Sequence, residues 1–172
     1  MCNRIFGYMP GYGPQISAPQ TVDQTLESTP QEVVDVLLDI LQPKTNETLY
    51  DLGCGDGRIL ISATKKFGCR SVGIEINKRT AELAKQKAKE ANIEVTIIEG
   101  DIKDQDLSDA DIITMYLFPK AMKLHLLKPR TRIISIGHEI PGVNAQKREV
   151  TVNGKKYTFY MWTVPYYRMI KQ

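Results

Sequence analysis

The sequence predicts an α/β fold: a doubly wound, mostly parallel seven-stranded sheet with helices on both faces and a C-terminal antiparallel hairpin. From residue 48 onward, short Ile- and Val-rich runs alternate with helical segments, and the chain ends in alternating polar and apolar residues around Asn153-Gly154. Near-continuous apolar runs are typical of parallel strands buried on both faces, whereas Asn-Gly between alternating segments indicates a hairpin.

The chain divides into an N-terminal arm and one domain. Residues 1–28 are rich in Gly and Pro and have no sustained period, so we expect an extended or mobile arm. Residues 29–172 then form a single domain, in keeping with a total length of 172 residues and 42% hydrophobic residues.

The first helix has a clear start and stop. Thr29 is the expected N-cap, Pro30 suits the first helical position, and Glu32 completes a Thr-x-x-Glu capping box. Pro43 closes the segment. Four apolar residues fall on one helical face and should be buried: Val34, Leu37, Leu38 and Leu41.

The remaining elements follow the alternation of apolar runs and helices. Two further helices are predicted, at residues 58–67 before Gly68 and at 78–91, the second with a small-residue stripe of Ala81, Ala84, Ala88 and Ala91. The predicted parallel strands are 48–52, 71–75, 95–98, 111–115 and 132–136, and those of the hairpin are 147–152 and 157–164.

Composition limits the classes of partner and ligand that we expect for this protein. The net charge is only +3 with no long run of like charges, so nucleic acid is an unlikely partner. No apolar stretch is long enough to cross a membrane and no signal layout is present, so we expect a cytoplasmic protein. The sequence signals no dimer, so we expect a monomer. Cys2, Cys54 and Cys69 should be reduced, and neither His125 nor His138 has the spacing of a metal site, so no metal is expected.

A glycine-rich turn joins the first strand to its helix, in the sequence Asp51-Leu-Gly-Cys-Gly-Asp-Gly57. Gly53 and Gly55 remove side chains that would block a ligand, and the following helix N-terminus offers unpaired N–H groups. Such a turn also has a purely steric use, since a tight strand-to-helix connection needs glycine.

Two later acids complete a nucleoside site. Glu75 ends the second strand, at about the spacing of 20 residues that lets an acid reach a ribose hydroxyl pair. Asp101 follows the third strand, where it can accept from an adenine amine while Ile102 covers the ring. The alternatives are strand-end caps for Asp51 and Glu75 and an ordinary turn for Asp101.

The charge of the turn selects the nucleotide. Asp51 precedes the glycines of the turn and Asp56 lies between two of them. These two carboxylates would repel a pyrophosphate. The same acids suit a cation. S-adenosylmethionine carries a sulfonium and an α-ammonium beside its ribose and adenine, so it fits this turn better than NAD, with Asp51 near the ammonium.

Residues 29–139 resemble a class I, seven-β-strand S-adenosylmethionine-dependent methyltransferase. The resemblance is carried by Asp-Leu-Gly-Cys-Gly-Asp-Gly-Arg58, Gly73-Ile-Glu-Ile-Asn77 and Glu99-Gly-Asp101. Thr29-Pro30, Thr114-Met-Tyr-Leu117 and His138-Glu139 further resemble small archaeal-type protein lysine methyltransferases. The cofactor-binding residues so implied are Asp51, Gly53, Gly55, Asp56, Glu75, Ile76, Asp101, Ile102 and Met115.

The acceptor should lie beyond strands four and five, because ligands bind outside the carboxyl ends of parallel strands. Tyr116 could orient an acceptor amine, and Glu139 could attract a cationic substrate or relay its proton. Alternatively, Tyr116 packs in the core, Glu139 is a solvated loop acid and His138 is structural. The same channel would include Leu117, Phe118 and Pro119.

Three functions remain open at this stage. The resemblance favours methyl transfer to a lysine of a protein substrate, and the absence of an Asn/Asp-Pro-Pro-aromatic motif makes a nucleobase acceptor less favoured. A small-molecule acceptor and a non-catalytic cofactor-binding subunit are the alternatives. The aromatic C-terminal hairpin fits core packing better than a partner surface, and its basic residues Lys147, Arg148, Lys155 and Lys156 fit a solvated face.

Overall fold

The computed structural model describes residues 28–116 and 122–166. The predicted arm, except Ser28, lies outside these residues. The α-helices are α1 (Gln31–Leu41), α2 (Arg58–Phe67) and α3 (Lys78–Glu90). The strands are β1 (Thr48–Leu52), β2 (Arg70–Glu75), β3 (Thr96–Glu99), β4 (Ile112–Met115), β5 (Arg132–Ile136), β6 (Gln146–Val152) and β7 (Lys155–Thr163), and 3-10 turns cover Ile102–Asp104 and Leu124–Leu126.

The seven strands form one sheet in the order β3-β2-β1-β4-β5-β7-β6. The first five are parallel to their neighbours, while β7 runs antiparallel to β5 and to the edge strand β6. This confirms the predicted fold class. The chain order reverses between β1 and β4, and in open α/β sheets ligands bind in the crevice outside the carboxyl ends at this point.

The two faces of the sheet are covered by different elements, α-helices on one face and short 3-10 helices with loops on the other. The apolar sides of α1 and α2 pack with Leu49, Ile112, Ile134 and Phe159 in one core cluster. On the opposite face, a second cluster is covered by the two 3-10 turns and by loops, which contribute Leu107, Leu127 and Ile140. The glycine turn joins β1 to α2, and both elements are anchored in the core cluster on the α-helical face.

The hairpin confirms the prediction from Asn153-Gly154. Both turn residues have positive φ, 49° at Asn153 and 77° at Gly154, which is the combination of a type I′ turn. Inward-facing Tyr157 and Phe159 are buried against the α-helical face. The aromatic hairpin residues thus include core residues, although Tyr166 is 70% exposed.

Three sequence expectations need correction. Helix α1 begins after Pro30, which is its N-cap, and no side-chain capping bond forms, so the Thr29–Glu32 capping box is wrong. Instead, the backbone oxygen of Thr29 accepts a hydrogen bond from Arg58, far along the chain. Ala91 is exposed, and β3 is an edge strand with partly exposed residues instead of a strand buried on both faces.

The described part of the chain contains no helix long and apolar enough to cross a membrane. Within the same residues, no group of three His, Cys, Asp or Glu side chains could hold a metal ion. Cys54 and Cys69 are buried and unpaired, and Cys2 lies outside the described residues.

Candidate active site

The glycine turn between β1 and α2 forms an open backbone cradle. Gly53 has φ 76° and Gly55 has φ 55°, a left-handed conformation that favours glycine. A Cβ atom built on either residue would meet nothing within 4 Å, so both glycines border open space. The turn is therefore shaped for close approach of a ligand as well as for a tight connection.

Asp51 is a buried carboxylate at the carboxyl end of β1. It is only 4% exposed and accepts a hydrogen bond of 2.7 Å from the hydroxyl of Thr114 on β4. Burial, opposed by the Thr114 hydrogen bond and reinforced by the negative charges of Glu75 and Asp56, raises the pKa of Asp51 to about 7. A cation placed beside this group would favour its ionised form.

Glu75, at the end of β2, is also buried and ties the turn to the neighbouring strand. Its Oε2 accepts from the Gly55 amide at 3.0 Å and its Oε1 from the Asn77 amide at 2.9 Å. The two bonds fix the carboxylate beside the glycine turn. Each oxygen retains further acceptor capacity, which suits a pair of ligand hydroxyls.

Asp56 differs from the other two acids because two cations neutralise it. Its carboxylate forms ion pairs with Arg58 at 2.8 Å and with Lys87 of α3 at 2.6 Å. The hydrogen bonds from Arg58 and Lys87 hold the pKa of Asp56 well below its usual range. Arg58 also donates to the Thr29 backbone oxygen at 2.8 Å, so the cluster joins the turn, α3 and the start of α1.

One cavity of about 570 Å³ lies over this turn. Six of the predicted site residues line it: Asp51, Gly53, Gly55, Asp56, Glu75 and Tyr116. The sequence assigned no role to several other lining residues, which are Ser28, Thr29, Cys54, Arg58, Ile59, Asn77, Thr80, Leu83, Lys87 and Ile136. Thr29, Cys54, Arg58 and Asn77 stood inside recognised motifs; the others reach the cavity through tertiary packing.

Four predicted cofactor residues are close in the sequence to residues that line the cavity, but they do not line it themselves. Ile76 follows Glu75 and is 70% exposed, whereas Met115 is buried in the core. Asp101 accepts from the Lys103 amide at 3.0 Å. Ile102 lines a separate cavity of about 330 Å³. Their contacts with an adenine ring remain predictions.

The predicted acceptor residues come from the ends of β4 and β5. Tyr116 is 36% exposed, and its ring meets that of His138 edge-to-face with 6.4 Å between centroids. Tyr116 is therefore not a core residue. Glu139 is exposed and does not line the cavity over the turn. Leu117, Phe118 and Pro119 lie outside the described residues.

These residues fit S-adenosylmethionine. The open glycine cradle admits a nucleoside, Glu75 faces it with acceptor oxygens, and the pKa of Asp51, raised to about 7, marks a buried acid that pairs with no cation among residues 28–116 and 122–166. A pyrophosphate would meet two buried carboxylates at this place, whereas an ammonium or sulfonium would be attracted.

Comparison with known proteins gives the same cofactor. Residues 51–147 match the model of the ANTKMT methyltransferase domain. A protein-lysine N-methyltransferase of Saccharolobus islandicus is 34% identical over 148 residues, which cover 79% of this chain and 91% of that protein. The crystal structure of an RNA methyltransferase from Salinibacter ruber in complex with S-adenosyl-L-homocysteine superposes with a TM-score of 0.73 at 35% identity, covering 81% of this chain and 94% of that one.

More distant structures share only the fold. A precorrin-6y C5,15-methyltransferase from Geobacter metallireducens has a TM-score of 0.64 at 20% identity and covers 79% of this chain and 90% of that one. The family match and the two relatives of higher identity carry the assignment. The chain belongs to the ANTKMT methyltransferase domain family and is a class I, S-adenosylmethionine-dependent methyltransferase.

Proposed function

We propose that the protein transfers methyl groups to lysine side chains of protein substrates. One observation carries this proposal: the relative from Saccharolobus islandicus, named a protein-lysine N-methyltransferase, is 34% identical over 91% of its own length. Such coverage includes the acceptor side of the fold as well as the cofactor turn. An open site with exposed Tyr116 at its edge also suits a side chain that protrudes from a macromolecule.

Each cofactor residue has a proposed task. Bound S-adenosylmethionine supplies an electrophilic methyl group. Asp51 pairs with its α-ammonium, and Glu75 accepts from the ribose hydroxyls. We assign the adenine to Ile76, Asp101, Ile102 and Met115, and we assign Asp56 to fixing the turn through Arg58 and Lys87, because these two cations already neutralise its charge.

On the acceptor side, the chain has to receive a lysine in its neutral form. The amine has a pKa of about 10.4 in water, and an aromatic, desolvated environment favours loss of its proton. Tyr116 orients the amine toward the cofactor cavity that it lines. Glu139, exposed beyond β5, attracts the cationic lysine and passes its proton to solvent. Methyl transfer then depends mainly on alignment.

RNA is the second candidate acceptor. The Salinibacter ruber protein, named an RNA methyltransferase, is 35% identical, and the match covers 94% of that protein's chain. A small-molecule acceptor and cofactor binding without transfer are the further alternatives. The low net charge of +3 favours protein over RNA, because phosphate-backbone binding normally requires a concentrated basic surface.

The test compares acceptors in one experiment. The protein is incubated with methyl-labelled S-adenosylmethionine and, separately, with mixed cell protein, total RNA or a small-metabolite extract, and the products are analysed by mass spectrometry. We expect label on lysines of the protein fraction. Glu75→Gln should abolish most of it by weakening ribose binding.

Glu99→Gln is the matched control. Glu99 ends β3 in register with Glu75 but is exposed, so the same chemical change should leave transfer intact. Label in RNA or metabolites without methyl-lysine would contradict the lysine proposal. Cofactor binding with no transfer to any fraction would instead support a non-catalytic subunit.

A further inference from the structure

A second cavity adjoins the cofactor cavity. It measures about 300 Å³, and we call it the hairpin cavity because Lys155 and Tyr157 of β7 form one of its walls. Pro30 also lines the hairpin cavity. Ser28, Thr29 and Tyr116 line both cavities, so these residues form the boundary where the two spaces meet.

The walls of the hairpin cavity have the chemistry of a lysine site. Tyr157 is 9% exposed and belongs to the core cluster, so its ring is held in place by packing. Tyr116 adds a second aromatic ring and Pro30 an apolar one. Apolar walls suit the methylene stem of lysine, and aromatic faces attract its cationic end.

The chain itself places a lysine ammonium there. Lys155 Nζ lies 5.6 Å from the centroid of the Tyr157 ring, within the range of a cation–π contact. Lys155 is the first residue of β7, immediately after the Asn153-Gly154 turn. It lies two residues before Tyr157, so both side chains are on the same face of the strand. This intramolecular lysine shows what kind of group the Tyr157 ring accepts.

We infer that the hairpin cavity binds the side chain of the substrate lysine and that Tyr157 determines specificity for it. This inference rests on the proposed lysine transfer. The methylene stem of the substrate lysine packs against Tyr157 and Pro30 beside Lys155, and its amine reaches the cofactor cavity past the aromatic ring of Tyr116. The hairpin therefore contributes to acceptor recognition as well as to the sheet.

The test separates acceptor binding from cofactor binding. Initial rates are measured against mixed cell protein at a series of total concentrations, and the affinity for S-adenosylmethionine is measured by calorimetry. Tyr157→Leu should raise the apparent KM for protein about tenfold or more, with cofactor affinity within about twofold. Tyr157→Phe, which keeps the ring, should behave like the wild type.

Two further variants control for folding. Tyr160→Leu removes a partly buried aromatic residue from the opposite face of the same strand, and it should leave KM unchanged. Tyr157→Trp keeps an aromatic core residue but fills the cavity, so it should raise KM like Tyr157→Leu. Unchanged KM in both Tyr157→Leu and Tyr157→Trp would overturn the inference while leaving lysine transfer standing. A wild-type protein that methylates no lysine would overturn both.

Discussion

The acids at the two ends of the parallel strands are treated differently. At the amino edge, which we define by Glu47, Asp109 and Asp111, each carboxylate is paired with a basic residue: Glu47 with Arg132 at 2.8 Å, Asp109 with Arg70 at 3.3 Å, and Asp111 with Lys128 at 2.6 Å. At the carboxyl edge, Asp51 and Glu75 are more deeply buried, and within the described part of the chain the hydrogen bonds that they accept come from a hydroxyl and from amides.

The pKa values follow this difference. The Lys128 ammonium and the Thr48 amide outweigh partial burial and lower the pKa of Asp111, whereas burial without a cation raises the pKa of Asp51 to about 7. Burial of an unpaired charge is costly. The Asp111–Lys128 pair therefore stabilises the fold, and Asp51 retains an uncompensated negative charge when ionised, which a cationic cofactor relieves.

The largest expected effect comes from removing one acid at each edge and comparing the losses. Glu75→Ala should lower the affinity for S-adenosylmethionine about 100-fold, because it removes the ribose acceptors and the bond that fixes the Gly55 amide. Glu47→Ala removes the Arg132 pair at the other edge and should leave cofactor affinity within about twofold. Calorimetric titration measures both. Equal losses in the two variants would remove the distinction between the edges.

The second prediction concerns pH. Because the pKa of Asp51 is raised to about 7, the residue is largely protonated below that pH in the free protein. Binding of a cation favours its ionised form and releases a proton. Affinity for S-adenosylmethionine should therefore rise with pH by up to about tenfold per unit and level off above about pH 7.

Asp51→Asn provides the control for this titration. The amide preserves the size of the side chain and can still accept from Thr114, but it has no proton to release. Its affinity should be lower and should lack the rise toward neutral pH. Titration in two buffers with different ionisation enthalpies counts the protons directly. A wild-type protein that releases none below pH 7 would contradict the assignment of Asp51.

Stability should change in opposite directions at the two edges. A carboxylate with a raised folded-state pKa destabilises the protein as pH rises from the unfolded value toward 7, so Asp51→Asn should stabilise the cofactor-free protein at about pH 8 by about 1 kcal/mol or more. Asp111→Asn loses the Lys128 ion pair and should destabilise it by about 1 kcal/mol. Urea unfolding gives both values.

The smallest effect is expected at an exposed ion pair that belongs to neither edge. Glu82 and Lys85 form an exposed pair on α3 at 2.8 Å, with side chains 58% and 44% exposed. Such pairs contribute little because water screens them. Glu82→Gln should leave both the urea midpoint of unfolding and the cofactor affinity unchanged. A larger loss in either measurement would show that acid position along the strands is not what matters.

The sequence predicted the fold well because its elements have strong local patterns. The bounds of β1, α2 and β5 matched because a Leu- and Tyr-containing run marks β1, Gly68 ends α2, and an Ile-rich run marks β5. The start of α1 was missed by one residue: Pro30 is the N-cap, no side-chain capping bond forms, and the backbone oxygen of Thr29 accepts from Arg58 across the structure. Local pattern does not encode such a contact.

The candidate site was predicted in part for the same reason. Glycine spacing and strand ends located Asp51 and Glu75, because these positions follow from topology. Neutralisation of Asp56 depends on Lys87, which comes from the next helix, and only the folded chain brings the two together. The hairpin cavity is lined by residues that are far apart in the sequence. Neither the cavity nor the contact between the Lys155 ammonium and the Tyr157 ring could therefore be predicted.

The most direct test of the account is a calorimetric titration of the wild-type protein with S-adenosylmethionine, NAD and ATP in turn. Two buried acids beside an open glycine turn predict that one equivalent of S-adenosylmethionine binds and that neither pyrophosphate-containing nor triphosphate nucleotide competes with it. Tight binding of NAD or ATP at the turn, with no heat from S-adenosylmethionine, would contradict the central claim.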